Sequence, residues 1–345
     1  MEHRALMEHR ILGNSGLKVP VLGFGTATFG GASEMFRVWG SSGLAEAQRL
    51  VSICLDAGVT FFDTADFYSH GLAETLLAKA LGRRRDEVLL ATKIGTPLGS
   101  GPNDGGASRW HIVRAVENSL RRLEVDHVDL LYVHQFDATT PVEETVRALD
   151  DLVRAGKVRY LGASNFPGWG LASSVAVAER YGLERYVAHQ VSYSLAAREF
   201  EWELAPAGAA HGVGAIAWSP LAGGALSGKV RRAAAVPEDS RVHRLGRPVE
   251  ERVLHVVDEL TAVAEEVDRT VAQVAVNWVL NRPNVASVVL GARTEDQLRD
   301  SLGAVGWTLT ADQIARLDKA SELDPPYPYA NQRAFPELLR SHWNS

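Results

Sequence analysis

Short apolar runs that alternate with amphipathic segments predict an α/β fold, a (β/α)8 or TIM barrel. Eight such runs, rich in β-branched and aromatic residues, recur roughly every 30 residues, the spacing of parallel strand–helix–strand units. Most are separated by helix-like segments such as AEAQRLVSICLDAG, and eight parallel strands close most naturally into a barrel. The predicted strands are residues 21–25, 59–63, 88–93, 128–134, 158–164, 186–190, 213–218 and 286–291.

The chain of 345 residues is expected to form one domain over residues 9–345, since no linker-like or low-complexity stretch divides it. A polar GNSG turn at residues 13–16 predicts a small hairpin before the first barrel strand. Long irregular segments follow the third and seventh strands, at residues 95–109 and 219–248, and in a barrel such loops lie over the active face. The tetrapeptide MEHR at residues 1–4 occurs again at residues 7–10, and residues 1–8 are expected to be a disordered extension.

Composition favours small-molecule chemistry. The net charge of -6 provides no basic field for nucleic acid or an anionic membrane. No run approaches the ~20 apolar residues of a membrane span, and the amino terminus has no apolar core of a signal peptide, so we expect a cytoplasmic protein. The one cysteine, Cys54, lies in an apolar pattern and is expected to be a buried core thiol.

Polar residues end three consecutive predicted strands. Asp63 ends the second strand, Lys93 the third and His134 the fourth, while Tyr68 follows on the loop after the second. Because neighbouring parallel strands lie ~4.8 Å apart, these side chains are expected to meet on one rim as a proton-transfer site. An ammonium beside the phenol should lower its pKa from the ordinary value of about 10. Each residue alone is more simply a packing or salt-bridge residue, but their joint occurrence favours catalysis.

Other nucleotide and metal signatures do not fit. After Gly23 and Gly25 the third position of a G-x-G-x-x-G motif is Thr28, so a Rossmann fold is not supported. GGALSGKV at residues 223–230 lacks the hydroxyl residue that a P-loop needs for Mg²⁺. The histidines are scattered with no H-x-H cluster, which argues against a metal-dependent hydrolase, and no metal site is expected.

Eight segments resemble, in order, the signature segments of the aldo-keto reductases. They are GFGTATFGG, FFDTADFYSHG, TK at Lys93, LLYVHQFDATTPVEET, GKVRYLGASNF, QVSYSL, WSPLAGG and GARTEDQL, and the resemblance runs from Leu12 to about Leu323. It implies a barrel that binds NADP(H) and reduces small aldehydes or ketones, or oxidises alcohols, by hydride transfer. The catalytic tetrad it implies is Asp63, Tyr68, Lys93 and His134. Tyr68 would donate the proton, Asp63 would hold Lys93 charged, and His134 would orient the carbonyl oxygen.

The resemblance also implies a set of cofactor contacts. Polar groups at the ends of the fifth and sixth strands would bind the nicotinamide amide, and an aromatic side chain at the end of the seventh could stack on its ring or belong to the core. Backbone and cations after the seventh and eighth strands would bind the phosphates, and three cations near the 2′-phosphate favour NADP(H) over NAD(H). The implied cofactor residues are Gly25, Thr26, Asp63, Ser164, Asn165, Gln190, Trp218, Ser219, Pro220, Leu221, Gly223, Lys229, Arg241, Gly291, Arg293, Gln297 and Asp300.

A second function remains open at this point. Some barrels of this family, notably the potassium-channel β-subunits, bind NADP(H) tightly and act mainly on a partner, which would make the chain a redox-sensing subunit with little turnover. Loop aromatics could line a substrate pocket or anchor the loops: Phe29, Trp39, Phe67, Trp110 and Phe136. The sequence leaves open the physiological substrate, the reaction direction, a strict preference for NADP over NAD, homo-oligomer formation and the role of the C-terminal tail.

Overall fold

The computed structural model describes residues 7–232, 236–238, 240–244, 246 and 248–335. Most of the predicted amino-terminal extension, residues 1–6, lies outside the described residues, as do residues 336–345 of the tail. Of the remaining two positions, Met7 packs against the core, and the Glu8 carbonyl accepts a hydrogen bond of 2.9 Å from the Val21 amide.

Eight parallel strands close into a barrel, as predicted. The first and the last of these strands complete the ring, and every neighbouring pair is parallel. The barrel strands are β3 (Leu22–Gly25), β4 (Phe61–Asp63), β5 (Leu89–Ile94), β6 (Val128–Val133), β7 (Val158–Ser164), β8 (Tyr186–Ser192), β9 (Gly214–Trp218) and β10 (Val285–Leu290). β4 begins later than its apolar run because the Val59 amide donates to the Cys54 carbonyl and closes the preceding helix.

The predicted hairpin is also present, and it covers one end of the barrel. β1 (His9–Ile11) and β2 (Lys18–Pro20) pair antiparallel, and Leu12 between them is fully buried against side chains of the barrel interior. Gly13 has φ +53°, and a Cβ there would lie 2.5 Å from the Val187 carbonyl oxygen, so only glycine fits this turn. The hairpin thus blocks the amino-terminal ends of the strands, and the carboxyl ends are left for a site.

Helices surround the barrel, and their apolar faces pack against the strands in one continuous core. Cys54 lies within that core, and burial raises the pKa of its thiol, as the predicted structural role requires. The helices are α1 (Glu34–Trp39), α2 (Leu44–Asp56), α3 (Leu72–Leu81), α4 (Arg109–Leu123), α5 (Val142–Arg154), α6 (Gly168–Tyr181), α7 (Leu204–His211), α8 (Arg241–Arg244), α9 (Glu251–Glu266), α10 (Val271–Leu280), α11 (Glu295–Leu302), α12 (Ala311–Ala320) and α13 (Tyr329–Arg333).

The two predicted long loops are confirmed after β5 and β9, although several positions of the second lie outside the described residues. The described part of the C-terminal tail is mostly exposed, and its Tyr329 ring stacks on Trp202, in the segment between β8 and α7, with centroids 6.5 Å apart. Within the described ranges, no helix combines the length and the apolar character needed to cross a membrane.

Candidate active site

A buried lysine joins two of the predicted catalytic residues at the carboxyl end of the barrel. Lys93 Nζ donates to Asp63 Oδ1 in a short contact, to the Thr64 carbonyl at 3.0 Å and to the Tyr68 hydroxyl at 3.2 Å. The Lys93 and Asp63 side chains are 1% and 2% exposed, so the ion pair is shielded from water. An ion pair this deep is tolerated only when its remaining hydrogen-bonding positions are filled, which the Thr64 carbonyl and the phenol accomplish.

Local backbone geometry places the phenol over the ammonium. Strand pairing continues beyond β4, where the Asp66 amide donates to the Lys93 carbonyl at 3.0 Å. The chain then turns through left-handed conformations at Ser69 and His70, with φ of +50° and +54°. Ser69 Oγ donates to the Phe29 carbonyl at 2.9 Å and holds this unfavourable turn in place. The turn therefore presents Tyr68 toward the rim.

His134 lies beside the phenol. Its backbone amide donates to the Ile94 carbonyl at 2.8 Å just after β6, and its ring meets the Tyr68 ring edge to face with centroids 5.8 Å apart. Burial and the nearby Lys93 charge lower the pKa of His134 to about 3, so the imidazole is neutral at physiological pH. A neutral imidazole can offer one hydrogen-bond donor to an oxygen placed next to the phenol.

The expectation that Lys93 lowers the Tyr68 pKa below its ordinary value is wrong for the structure. Burial raises the pKa of the phenol, and the Asp63 carboxylate raises it further, while Lys93 lowers it only in part. Conversely, burial disfavours the charged form of Lys93, but Asp63 and Tyr68 outweigh it, so the pKa of Lys93 is above its ordinary value. The phenol is protonated and the ammonium is charged at neutral pH, which is the state that a proton donor requires.

The predicted nicotinamide contacts gather next to Asp63. Gln190 Nε2 donates to Asp63 Oδ2 at 2.8 Å, a contact between β8 and β4 that sequence reasoning missed. Asn165 Nδ2 donates to the His134 carbonyl at 3.0 Å and to Ser164 Oγ at 3.1 Å. These amide and hydroxyl groups lie on the same rim as the lysine cluster, where a carboxamide could hydrogen-bond to them.

The first barrel strand contributes to the same rim. Gly25 pairs with Asp63, and the Thr26 amide donates to the Asp63 carbonyl at 2.9 Å. The Thr26 hydroxyl is fully buried and finds no partner among the described residues. An unpaired buried hydroxyl is uncommon, so this atom is suited to a bound ligand.

The residues after β9 form a tight turn. Trp218 is partly buried at the end of that strand, and Ser219 and Gly223 have φ of +58° and +67°. The Gly223 amide donates to Ser219 Oγ at 3.2 Å, while Pro220 is buried and Leu221 is partly buried. The Ala222 and Gly224 amides are also paired within the turn, with the Ser219 and Leu221 carbonyls at 2.9 Å each, so three successive amides here are already occupied.

Two predicted phosphate-binding cations converge. Burial and the positive charges of Arg293 and Arg244 lower the pKa of Arg241, whose Nη2 donates to the Trp39 carbonyl at 3.0 Å. Both side chains are partly buried, and a bound polyanion would relieve the repulsion between their positive charges. Lys229 is exposed and lines a surface cleft of about 460 Å³.

The predicted adenine contacts are divided between two roles. The Arg293 amide donates to Gln297 Oε1 at 3.0 Å at the start of α11, close to the exposed Gly291. Asp300 Oδ1 instead accepts hydrogen bonds from Thr270 at 3.0 Å and Gln273 at 3.2 Å, and so connects α11 to α10. Gln297 therefore contacts the Arg293 backbone, whereas the Asp300 carboxylate is held by side chains at the start of α10.

Two of the five loop aromatics accompany the tetrad. The Trp39 ring meets Tyr68 edge-on at 6.1 Å, and Phe67 lies 6.5 Å from the His134 ring. Phe29 is fully buried in the core, Trp110 is 54% exposed on α4, and Phe136 packs against the Phe166 and Trp169 rings. In the described ranges, no group of three His, Cys, Asp or Glu side chains is arranged to hold a metal ion.

Acid should destabilise the fold partly through His134. Its folded pKa of about 3 lies below the ordinary 6.5, so the unfolded chain takes up the proton first. The stabilisation that the neutral His134 imidazole gives the fold is fully present above about pH 6.5 and is lost as the pH falls toward 3. We expect His134→Gln to reduce the loss of unfolding free energy between pH 7 and 4, as measured by urea denaturation. The same change at the exposed His255 is the control, and equal pH dependence in wild type and His134→Gln would contradict the assignment.

The fold is a (β/α)8 barrel, and its buried ionisable cluster lies at the carboxyl face, where barrel enzymes have their active sites. The family model of the Aldo/keto reductase family matches residues 21–322, and the chain belongs to this family of oxidoreductases.

Its relatives include two kinds of protein, potassium channel subunits and an oxidoreductase. The chain is 39% identical to a probable voltage-gated potassium channel subunit beta of Arabidopsis thaliana, over 87% of this chain and 91% of that protein. It is 38% identical to a protein of the same description from Oryza sativa subsp. japonica, over 92% of this chain and 98% of that protein. It is 37% identical to the uncharacterized oxidoreductase YrpG of Bacillus subtilis, over 90% of this chain and 95% of that protein.

Proposed function

We propose that this protein is an NADP(H)-dependent oxidoreductase that reduces small aldehydes or ketones to alcohols, or runs the reverse reaction, with Tyr68 as the proton donor. One observation carries the proposal: a buried ammonium, Lys93, contacts both the Asp63 carboxylate and the Tyr68 hydroxyl at the carboxyl rim. Membership of the family supports the class of reaction. The unpaired Cys54 agrees with a reducing compartment, and we place the reaction in the cytoplasm.

Each member of the tetrad has a distinct task. When bound, a dihydronicotinamide supplies the hydride that adds to the carbonyl carbon. The carbonyl oxygen must then receive a proton, and the Tyr68 hydroxyl provides it. Lys93 stabilises the phenolate that remains, Asp63 keeps Lys93 charged and oriented, and the neutral His134 donates a second hydrogen bond to the oxygen.

The cofactor proposal follows from the groups around the tetrad. Ser164, Asn165 and Gln190 would hold the carboxamide, and Trp218 would stack on the ring. At the other end, the convergence of Arg241 and Arg293 supports a phosphorylated ribose and therefore NADP(H) over NAD(H). The buried Thr26 hydroxyl also suits a dinucleotide. The remaining proposed contacts are Gly25, Asp63, Ser219, Pro220, Leu221, Gly223, Lys229, Gly291, Gln297 and Asp300.

Removing Arg241 should weaken NADP(H) more than NAD(H). Arg241→Ala would remove a charge-assisted hydrogen bond to the 2′-phosphate, which NADH lacks. The Kd for NADPH should therefore rise by about 10- to 100-fold, with a much smaller change for NADH. Fluorescence titration of both cofactors measures this directly. Arg83→Ala, at an exposed arginine on the short helix before β5, is the control. Equal loss for both cofactors would show that Arg241 does not contact the 2′-phosphate.

The reaction itself is tested by following nicotinamide absorbance with a panel of aldehydes and ketones, and with alcohols and NADP⁺ for the reverse direction. Cofactor-dependent turnover of at least one carbonyl compound is the expected result. Absence of turnover over the whole panel, with the cofactor bound, would reject the enzymatic proposal.

A second candidate is a redox-sensing subunit that binds NADP(H) and acts mainly on a partner. The specific support is that two relatives with 38–39% identity are described as probable potassium channel subunits beta. Tight NADPH binding without turnover, together with capture by a membrane channel protein, would favour this role. Both functions would use the same cofactor site, so turnover is the measurement that separates them.

A further inference from the structure

A tyrosine of the barrel interior lies beside the Lys93 ammonium, and the proposed function assigns it no role. Tyr132 is on β6, where its Cα pairs in register with that of Lys93 on β5. Its side chain is among the largest that are fully buried in the described structure. It belongs to the apolar cluster that fills the barrel interior as far as Leu12 of the hairpin. Tyr132 is therefore a point at which this cluster meets the charged site.

Two aromatic rings face the ammonium. Lys93 Nζ lies 4.9 Å from the centroid of the Tyr68 ring and 5.9 Å from that of the Tyr132 ring. A cation over the face of an aromatic ring is attracted by its π electrons, and the attraction is stronger where water is excluded. The Lys93 side chain is 1% exposed, so water does not compete with either ring.

The barrel makes room for the Tyr132 ring. Tyr132 pairs with Gly162 on β7, and a Cβ at that glycine would lie 2.5 Å from Cδ1 and 2.6 Å from Cε1 of the tyrosine. Contacts this short would force the ring to move, so a side chain at position 162 is not compatible with its present place. The ring fills the space of the missing side chain, and close packing fixes where it lies.

The Tyr132 hydroxyl does not explain the position of the ring. It is buried and meets the geometry of a hydrogen bond with no group among the described residues. Burial raises the pKa of this phenol well above its ordinary value, and the Asp63 carboxylate raises it further, while Gln190 lowers it in part. The side chain is therefore neutral at physiological pH, and it offers Lys93 a π face and no charge.

The titratable groups around the ammonium come from β4, from the segment that follows it and from β6 with the residue after it. They are Asp63, Asp66, Tyr68, Tyr132 and His134. Asp63 and Tyr68 contact the ammonium through oxygen, whereas Tyr132 contacts it through its ring. The ring is thus a separate contact that helps to offset the burial of a positive charge.

We propose that Tyr132 is a positioning residue for the tetrad: its ring face attracts the Lys93 ammonium from the interior side and holds it charged against Asp63 and the Tyr68 hydroxyl. With a weaker ring face, the ammonium would keep its contact with Asp63 but would lose its proton more easily. A neutral Lys93 cannot stabilise the Tyr68 phenolate. The catalytic consequence rests on the proposed function, whereas the effect of the ring on Lys93 does not.

Ring fluorination tests this, because fluorine withdraws π electrons from the ring face and changes its size little. Tyr132→Phe is the starting point, and phenylalanine with one, two or three ring fluorines is then incorporated at position 132. The Lys93 titration is followed by NMR of ¹³C-labelled lysine, with Lys93→Met identifying the signal. We expect Tyr132→Phe to resemble wild type, and Lys93 to titrate progressively lower across the series, by about one pH unit in total. The alkaline limb of kcat for carbonyl reduction should move in the same order.

The same series at Tyr160 is the matched control. Tyr160 on β7 is partly buried against the same interior cluster, and within the described ranges Lys93 lies over the rings of Tyr68 and Tyr132 only. Fluorination at position 160 should therefore leave the Lys93 titration unchanged.

A Lys93 titration that does not follow the number of fluorines at position 132, or that shifts equally for both positions, would overturn the proposal. If Tyr132→Phe did not fold, fluorinated tyrosine at position 132 would give the same reading with the hydroxyl in place. The NMR titration requires no turnover, so failure of the enzymatic proposal is seen separately.

Discussion

Tyr68→Phe should lower kcat for carbonyl reduction by about 10²- to 10⁴-fold, the contribution of a positioned general acid. The substitution removes the hydroxyl that lies 3.2 Å from Lys93 Nζ and leaves the ring, which packs against Trp39 and His134, in place. Affinity for NADPH should change little, because the lost atom acts on the carbonyl oxygen. Steady-state nicotinamide absorbance gives kcat, and fluorescence titration gives the Kd.

The matched control for this loss is Tyr186→Phe. Tyr186 lies at the start of β8, and its hydroxyl is buried without a partner among the described residues. Removing that hydroxyl should leave turnover near the wild-type value. If the Tyr68 variant also kept wild-type turnover, the proton would have to come from another group, and the proposed mechanism would fail.

Lys93→Met should have the largest effect on stability. It removes one member of a buried ion pair and leaves the Asp63 carboxylate, 2% exposed, with the Gln190 amide as its remaining side-chain donor in the described structure. Breaking a buried pair in this way costs about 3–5 kcal/mol of unfolding free energy. Urea denaturation at pH 7 measures the loss, and turnover should also fall because the phenolate loses its ammonium.

Two comparisons make the cause of that loss visible. The double variant Asp63→Asn with Lys93→Met should recover part of the stability, since no unpaired charge then remains in the interior. Arg147→Met breaks an ion pair with Glu143 in which both side chains are more than 40% exposed, and it should cost under about 1 kcal/mol. A Lys93→Met cost no larger than that of Arg147→Met would contradict the expected burial penalty.

The barrel could be predicted because its cause is local. Parallel strands buried on both faces must be continuous apolar runs, and polar residues can follow only where each run ends. This rule located Asp63, Lys93 and His134 at neighbouring strand ends, and the structure brings them together with Tyr68. Strand beginnings were less predictable: β4 starts at Phe61 because the hydrogen bond from Val59 to Cys54 belongs to the preceding helix turn.

The electrostatics could not be predicted in the same way. The sequence indicated that Lys93, at the end of a neighbouring strand, would lie beside Tyr68. From this positive charge alone, the pKa of the phenol should fall. Burial acts in the opposite direction and is the larger influence, so the phenol pKa rises. The same reasoning missed Tyr132, which looks like an ordinary core aromatic until its distance from Lys93 is known.

By itself, the sequence determined the eightfold strand pattern, the family and the residue types that reach the carboxyl rim, because periodicity and strand ends are properties of neighbouring residues. Only the tertiary structure decided which of these groups share a hydrogen bond. Gln190 meets Asp63 across 127 positions of the chain, and Arg241 meets the Trp39 carbonyl across 202. The depth of burial, which sets the protonation of Tyr68 and His134, likewise depends on the packing of elements distant in sequence.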